Sequence, residues 1–232
     1  MLQPSKIRRL APIIFFCLAV ALVPVAVLRA GEPLPKTSQD GLELRKQTKQ
    51  RVVYVKPGAT VSQYESVAIL DPYIEFSKSW VRDYNSSTRG ATRKITDRDL
   101  EKARQDLSTR FKTIFREELT KGGYQVKDGA GPGVLVLRPA LMNIEVNAPD
   151  LMSPGRSTTY VQSAGQMTLY LELWDGATST ILARVVDAQS DSTVYTQNAN
   201  SATNSWAAER MLRDWADELR TKLDLARGKS KD

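Results

Sequence analysis

Hydrophobic and polar residues alternate with two different periods along this chain, and the changes of period mark its elements. Arg51 to Val55 (RVVYV) is β-rich and stops at Pro57-Gly58, which predicts a strand followed by a turn. Tyr64 to Leu70 ends in four apolar residues before Asp71-Pro72. A run that is apolar on both faces suits a central strand covered twice. Ser77 to Thr96 shows neither period and reads as a long irregular loop. From there Leu100, Ala103, Leu107, Phe111, Ile114 and Leu119 recur at steps of three to five. That stripe predicts a helix, with Thr96 as N-cap, Asp97 and Asp99 favouring its positive end, and Gly122-Gly123 closing it.

Strand patterns follow. Val134 to Val146 starts apolar on both faces, and its second half is expected to keep Ala140, Met142, Ile144 and Val146 on one side. Pro139 has no N–H to give a ladder, so it predicts an edge or a bulge. After a turn-rich stretch at Ala148 to Thr158, Met167, Leu169, Leu171 and Leu173 alternate with Gln166, Thr168, Tyr170 and Glu172. With the turn at 174–180 and the return at Ile181 to Val186, this is a hairpin with one packed and one half-wet face. A last stripe of Ala208, Met211, Leu212, Trp215, Leu219 and Leu223 predicts a helix from about Asn204 to Ala226. The fold class is therefore α+β, a mostly antiparallel sheet with two main helices packed on it.

The ends add a second layer. Lys6, Arg8 and Arg9 precede 18 uncharged residues, Ala11 to Leu28, closed by Arg29-Ala30-Gly31. This is the pattern of a secretory signal peptide, and its length also reaches the lower limit for a membrane anchor. Residues 1–30 are expected to be that signal peptide or uncleaved anchor, 31–50 a linker, 51–227 one domain and 228–232 a charged tail. Membrane association would run through residues 11–28 if they are retained. Bulky Ile14, Phe15 and Phe16 before Cys17 argue against lipid attachment there.

Composition narrows the chemistry. The chain has no histidine, and Cys17 is its single cysteine. That excludes a Ser-His-Asp triad and His or Cys metal sites, and no cofactor is expected. The formal charge of +7 is also partly the leader's. Four of the 33 basic residues and none of the 26 acids fall in residues 1–30, so the remainder carries +3. An exported protein of that charge is not expected to bind nucleic acid.

The candidate binding residues are Trp80, Arg82, Tyr84, Arg89, Arg93 and Lys94, where aromatic residues interleave with cations. The competing reading has Trp80 and Tyr84 pinning a loop whose cations stay solvated. Glu172, Asp175, Asp187 and Asp191 are the nearest approach to an acid–base set. Turn and wet-face roles explain them more simply. Arg45, Lys46, Lys49, Arg51 and Lys56 form a basic run, a solvated linker or a membrane-surface element. Asn85-Ser86-Ser87 matches the N-glycosylation triplet.

Several stretches resemble a known family: RVVYVKP at 51–57, VAILDP at 67–72, ITDRDL at 95–100, VLVLRPA at 134–140, LELWDGAT at 171–178, ILAR at 181–184 with Asp187, and WADELR at 215–220. The chain is similar there to bacterial envelope proteins grouped as domain of unknown function 3313. The resemblance implies a Gram-negative envelope protein, usually lipid-anchored, with no catalytic residues to carry over. The sequence around Cys17 departs from that lipid-anchored pattern. The functional expectation is an exported, periplasmic or envelope-associated, non-enzymatic protein that binds an envelope protein or cell-wall polymer. The alternatives are a carboxylate-based glycan hydrolase using Glu172 and Asp187, or a purely structural component.

Overall fold

A computed structural model describes residues 33–87, 94–146, 159–161, 165–190, 197–199 and 201–229. The chain divides into two compact units, 1–34 and 35–232, and every helix and strand named below belongs to the second. Its elements in chain order are β1 (Glu43–Gln47), β2 (Arg51–Val55), β3 (Ser66–Ile69), β4 (Tyr73–Phe76), α1 (Lys78–Ser87), α2 (Asp97–Lys121), β5 (Gln125–Lys127), β6 (Val134–Val146), β7 (Thr159–Val161), β8 (Gly165–Asp175), β9 (Ile181–Ser190), β10 (Gln197–Ala199) and α3 (Ser201–Ala226). The main sheet has the order β1-β2-β9-β8-β6-β3-β5, with β4 also paired to β6, while β7 and β10 pair separately. It is antiparallel from β1 through β6. The pairs made by β3 with β5 and β6, and by β4 with β6, are parallel.

The α+β class and the two main helices agree with the sequence pattern. Thr96 caps α2 through a capping box with Asp99. Gly123 takes φ +82°, a left-handed position that favours glycine. Leu107, Phe111, Ile114, Phe115 and Leu119 of α2 join Met211, Leu212, Trp215, Ala216 and Leu223 of α3 in one core with Val67, Leu135, Leu137, Met167, Leu169, Leu171 and Leu173 of the sheet. Alternate residues Ala68, Val134 and Val136 pack with Trp174 in a second cluster. The two clusters explain why β3 and the start of β6 read as apolar on both faces.

Several expectations are corrected. Residues 43–47, inside the stretch read as a linker, form the sheet's edge strand β1, and Leu42 just before it is fully buried. The loop expected at 77–96 contains α1. Ser77 Oγ accepts the Trp80 N–H at the helix start, and Phe76 stacks on Trp80 at 6.1 Å. These tertiary contacts hold a helix whose own propensities are weak. Pro139 lies at neither an edge nor a bulge. Leu137 C=O accepts from Leu70 N–H, so Pro139, two residues on, turns its nitrogen to the same side. There β3 gives way to β4 across residues 70–72, and no N–H is needed. The irregularity falls at Asn143 instead, with φ 52° and a register shift between Met142 and Glu145. Leu141 continues the alternation of Leu135 and Leu137 into the helix-side core, and the bulge brings Ile144 to the same side, while Ala140 and Met142 are only half-buried. The turn-rich stretch at 148–158 lies outside the described residues.

Candidate functional site

Of the nominated binding residues, the structure describes four. Trp80 is committed to the fold: its Nε1 donates to Val146 C=O at 2.9 Å, and its ring lies between Phe76 and Tyr84. This is the pinning role, transferred from a loop to a helix. Arg82 points outward, 72% exposed, and pairs with Asp83 at 2.8 Å. Lys94 is exposed. Arg89 and Arg93 lie outside the described residues. Asn85, the acceptor of the glycosylation triplet, is used internally: its amide donates to Ile95 C=O at 3.0 Å and accepts the Ile95 N–H at 2.8 Å.

What α1 does border is an open groove of about 1110 Å³ between the free side of β4, α1 and the first half of α2. Tyr73, 60% exposed, lines it from β4. Val81 and Arg82 line it from α1, and Leu100 and Arg104 from α2. Arg104 Nε reaches Ile74 C=O on the strand edge at a long 3.4 Å. Asp71, which also lines the groove, pairs with Lys112 of α2 at 2.7 Å. The sequence reading missed β4 and α2 as walls, because their approach is set by the parallel β4–β6 pairing rather than by any local pattern.

The hairpin carboxylates are placed differently from expectation. Neither Glu172 nor Asp187 is solvated; they are 5% and 4% exposed. Glu172 accepts from Tyr170 Oη at 2.7 Å, Trp174 Nε1 at 3.1 Å and Arg184 at 2.9 and 3.0 Å, and Arg184 also pairs with Asp40. Asp187 accepts from Nε and Nη2 of Arg51, each at 2.8 Å, and from the Trp215 Nε1 of α3 at 2.6 Å. Arg51, expected in a solvated basic run, also pairs with Glu218 of α3. In the β8–β9 register Glu172 faces Arg184 and Leu169 faces Asp187. Alternation therefore puts Asp187 on the helix side of the sheet and Glu172 on the other. Two carboxyls on opposite faces cannot flank one glycosidic bond, and this removes them as a hydrolytic pair. Asp175 is a turn residue as expected, accepting Ala177 N–H at 3.0 Å and Thr178 N–H at 2.6 Å. Asp191 lies outside the described residues.

These contacts hold Asp187 and Asp175 ionised. Burial pushes Asp187 up, but the hydrogen bonds from Arg51 and Trp215 outweigh it and leave the group below its ordinary value. Asp175 is drawn down to about 2 by the Tyr64 hydroxyl and then by Thr178. A carboxyl depressed in the folded state stabilises above its unfolded pKa, and that contribution is lost as pH falls through the folded value. The unfolding midpoint in urea is therefore expected to fall steadily from about pH 4 toward pH 2. Asp175→Asn should shallow that slope, and its difference from the parent should vanish near pH 2. An unchanged slope would show that Asp175 has no share in it.

Among the described residues no group of three or more His, Cys, Asp or Glu side chains could hold a metal ion. Among the same residues no helix is long and apolar enough to cross a membrane.

Comparison with known proteins gives a family match over residues 36–219, to the family described as protein of unknown function DUF3313. No curated protein matches the sequence. Solved structures with partial likeness include the PelC dodecamer from Paraburkholderia phytofirmans, at 12% identity, covering 71% of this chain and 96% of that one with a TM-score of 0.37. A minor lipoprotein from Acinetobacter baumannii matches at 11% identity, 71% and 94% coverage and a TM-score of 0.33. A DUF330 protein from Xanthomonas campestris matches at 13% identity, 75% and 91% coverage and a TM-score of 0.38.

Proposed function

We propose that this chain, which belongs to the DUF3313 family of proteins of unknown function, is an exported cell-envelope protein that binds a protein partner or a cell-wall polymer in the groove between β4, α1 and α2. Export rests on the basic and apolar pattern of residues 1–30. Binding rests on one observation: β4 pairs only with β6 among the described residues, and its other side opens into the groove. An unpaired strand edge in a groove can accept an extended chain by main-chain hydrogen bonds, with side-chain pockets giving selectivity. The short length of β4 and the Arg104 contact to Ile74 keep that edge from pairing indiscriminately. Catalysis by Glu172 and Asp187 has no geometric support. Tyr73, Arg82 and Arg104 are the binding residues in this reading, while Trp80 serves the fold.

A photo-crosslinking residue placed at Tyr73 in cells should give adducts that the same residue at exposed Leu225 does not. Purified protein should sediment with isolated cell-wall material if the ligand is the polymer. Lys78→Glu with Arg82→Glu, both on the α1 wall of the groove, should lower either signal several-fold without moving the melting temperature. Absence of adducts together with absence of sedimentation would overturn the binding reading and leave a structural component.

A further inference from the structure

The sheet's outer edge carries a second charged feature that the groove does not use. β1 has one neighbour, β2, among the described residues, and the chain enters the sheet beside it, with Thr37 bridged to Glu43. Residues 35–58 contain six cations and only two acids. Both acids are already paired: Glu43 with Arg45 at 3.0 Å, and Asp40 with Arg184. Arg51 is taken by Asp187 and Glu218. Lys36, Lys46, Lys49 and Lys56 remain exposed outside these pairs. They are distributed along a strand of five residues, about 15 Å, from its start to the turn that follows it.

We infer that this β1–β2 edge is a docking surface for an anionic lipid headgroup layer; the inference rests on the envelope reading above. Charge complementarity selects the partner. The row is positive with no acid left to answer it, and it sits on an edge rather than in a cleft. Its exposed members are lysines, whose flexible stems and point charges suit a diffuse layer of phosphates better than one fixed bidentate partner. Chain connectivity agrees with the charge. Eight residues take the chain from Leu28, the end of the apolar run, to Lys36, a reach of about 28 Å at most. If residues 11–28 lie in a bilayer, the start of this edge stays within that reach of its surface, where polybasic segments are attracted to anionic headgroups. Edge lysines also prevent strands of two copies from pairing. That role alone makes them indifferent to lipid charge, which the experiment exploits.

The full-length chain is mixed with vesicles of phosphatidylcholine alone or with about 30% phosphatidylglycerol, and amine labelling of each lysine is read by mass spectrometry alongside sedimentation. Lys127, on strand β5 at the opposite end of the sheet, is the control. On the anionic vesicles, labelling of Lys36, Lys46, Lys49 and Lys56 should drop several-fold relative to Lys127 at 0.15 M salt. It should recover at about 1 M, where the Debye length falls to about 3 Å. Lys46→Glu with Lys49→Glu should abolish the protection while leaving the melting temperature unchanged. Equal labelling on both vesicle types, or failure to sediment with the anionic ones, overturns the docking surface. Cell fractionation separates the two readings: protein recovered from the cytoplasm removes the envelope assignment whatever the vesicles show.

Discussion

Arg51→Ala is expected to lower the unfolding free energy by about 3–5 kcal/mol, because it strands a buried carboxylate. Asp187 is 4% exposed, and its positive partner is the bidentate Arg51. Without the guanidinium, among the described residues Trp215 Nε1 and the 3.4 Å contact from Gln189 remain to compensate the charge. In a domain of this size the loss corresponds to roughly 10 °C in melting temperature. Removing the whole cluster should cost far less. Arg51→Met, Asp187→Leu and Trp215→Phe together eliminate both charges and the indole donor, so no buried polar group is left unanswered. Calorimetry of the single and triple variants checks this. If the triple variant is no more stable than Arg51→Ala, the cost lies in packing rather than in the uncompensated charge.

Phe111→Ala should cost a comparable amount, about 3–5 kcal/mol, by a different mechanism. Phe111 is fully buried at the junction of α2, α3 and the sheet, with its ring stacked on Phe115 at 4.0 Å. Truncation removes transfer free energy and leaves a cavity between three elements that cannot all move inward together. Phe111→Leu, which keeps most of the volume, should cost less than half as much. Denaturant midpoints at unchanged slope would report the difference as stability alone. Equal losses for the two substitutions would show that the aromatic stack, and not the volume, carries the energy.

These two sites differ in how far a linear reading reaches them. Phe111 belongs to a stripe that repeats within one helix, so its burial follows from the spacing of its neighbours in the chain. Phe115 escaped that reading because the stripe widens where α3 packs alongside. Arg51 is 136 residues from Asp187, and no local signal joins them. The same holds for Glu172, which lies on the half-wet face that alternation assigns to it. It is nevertheless buried, because Arg184, Trp174 and Tyr170 close over it. The candidate site shows this most clearly. Trp80 and Arg82 stood out as an aromatic beside a cation, but one became a structural pin and the other a groove wall.

The sequence by itself determined what depends on neighbours within a turn or a strand. That covers the two long helices, the N-cap of α2, the β8–β9 hairpin, the sheet alternation and the absence of histidine chemistry. The tertiary structure alone decided what depends on residues far apart in the chain. It made β1 part of the sheet, and it held α1 as a helix through Trp80, Phe76 and Val146. It ran β3 and β4 parallel to β6, placed Glu172 and Asp187 on opposite faces, and opened the groove beside β4. The physical reason is that periodicity records which face of an element avoids water, whereas the partner that covers that face is chosen only when the whole chain packs.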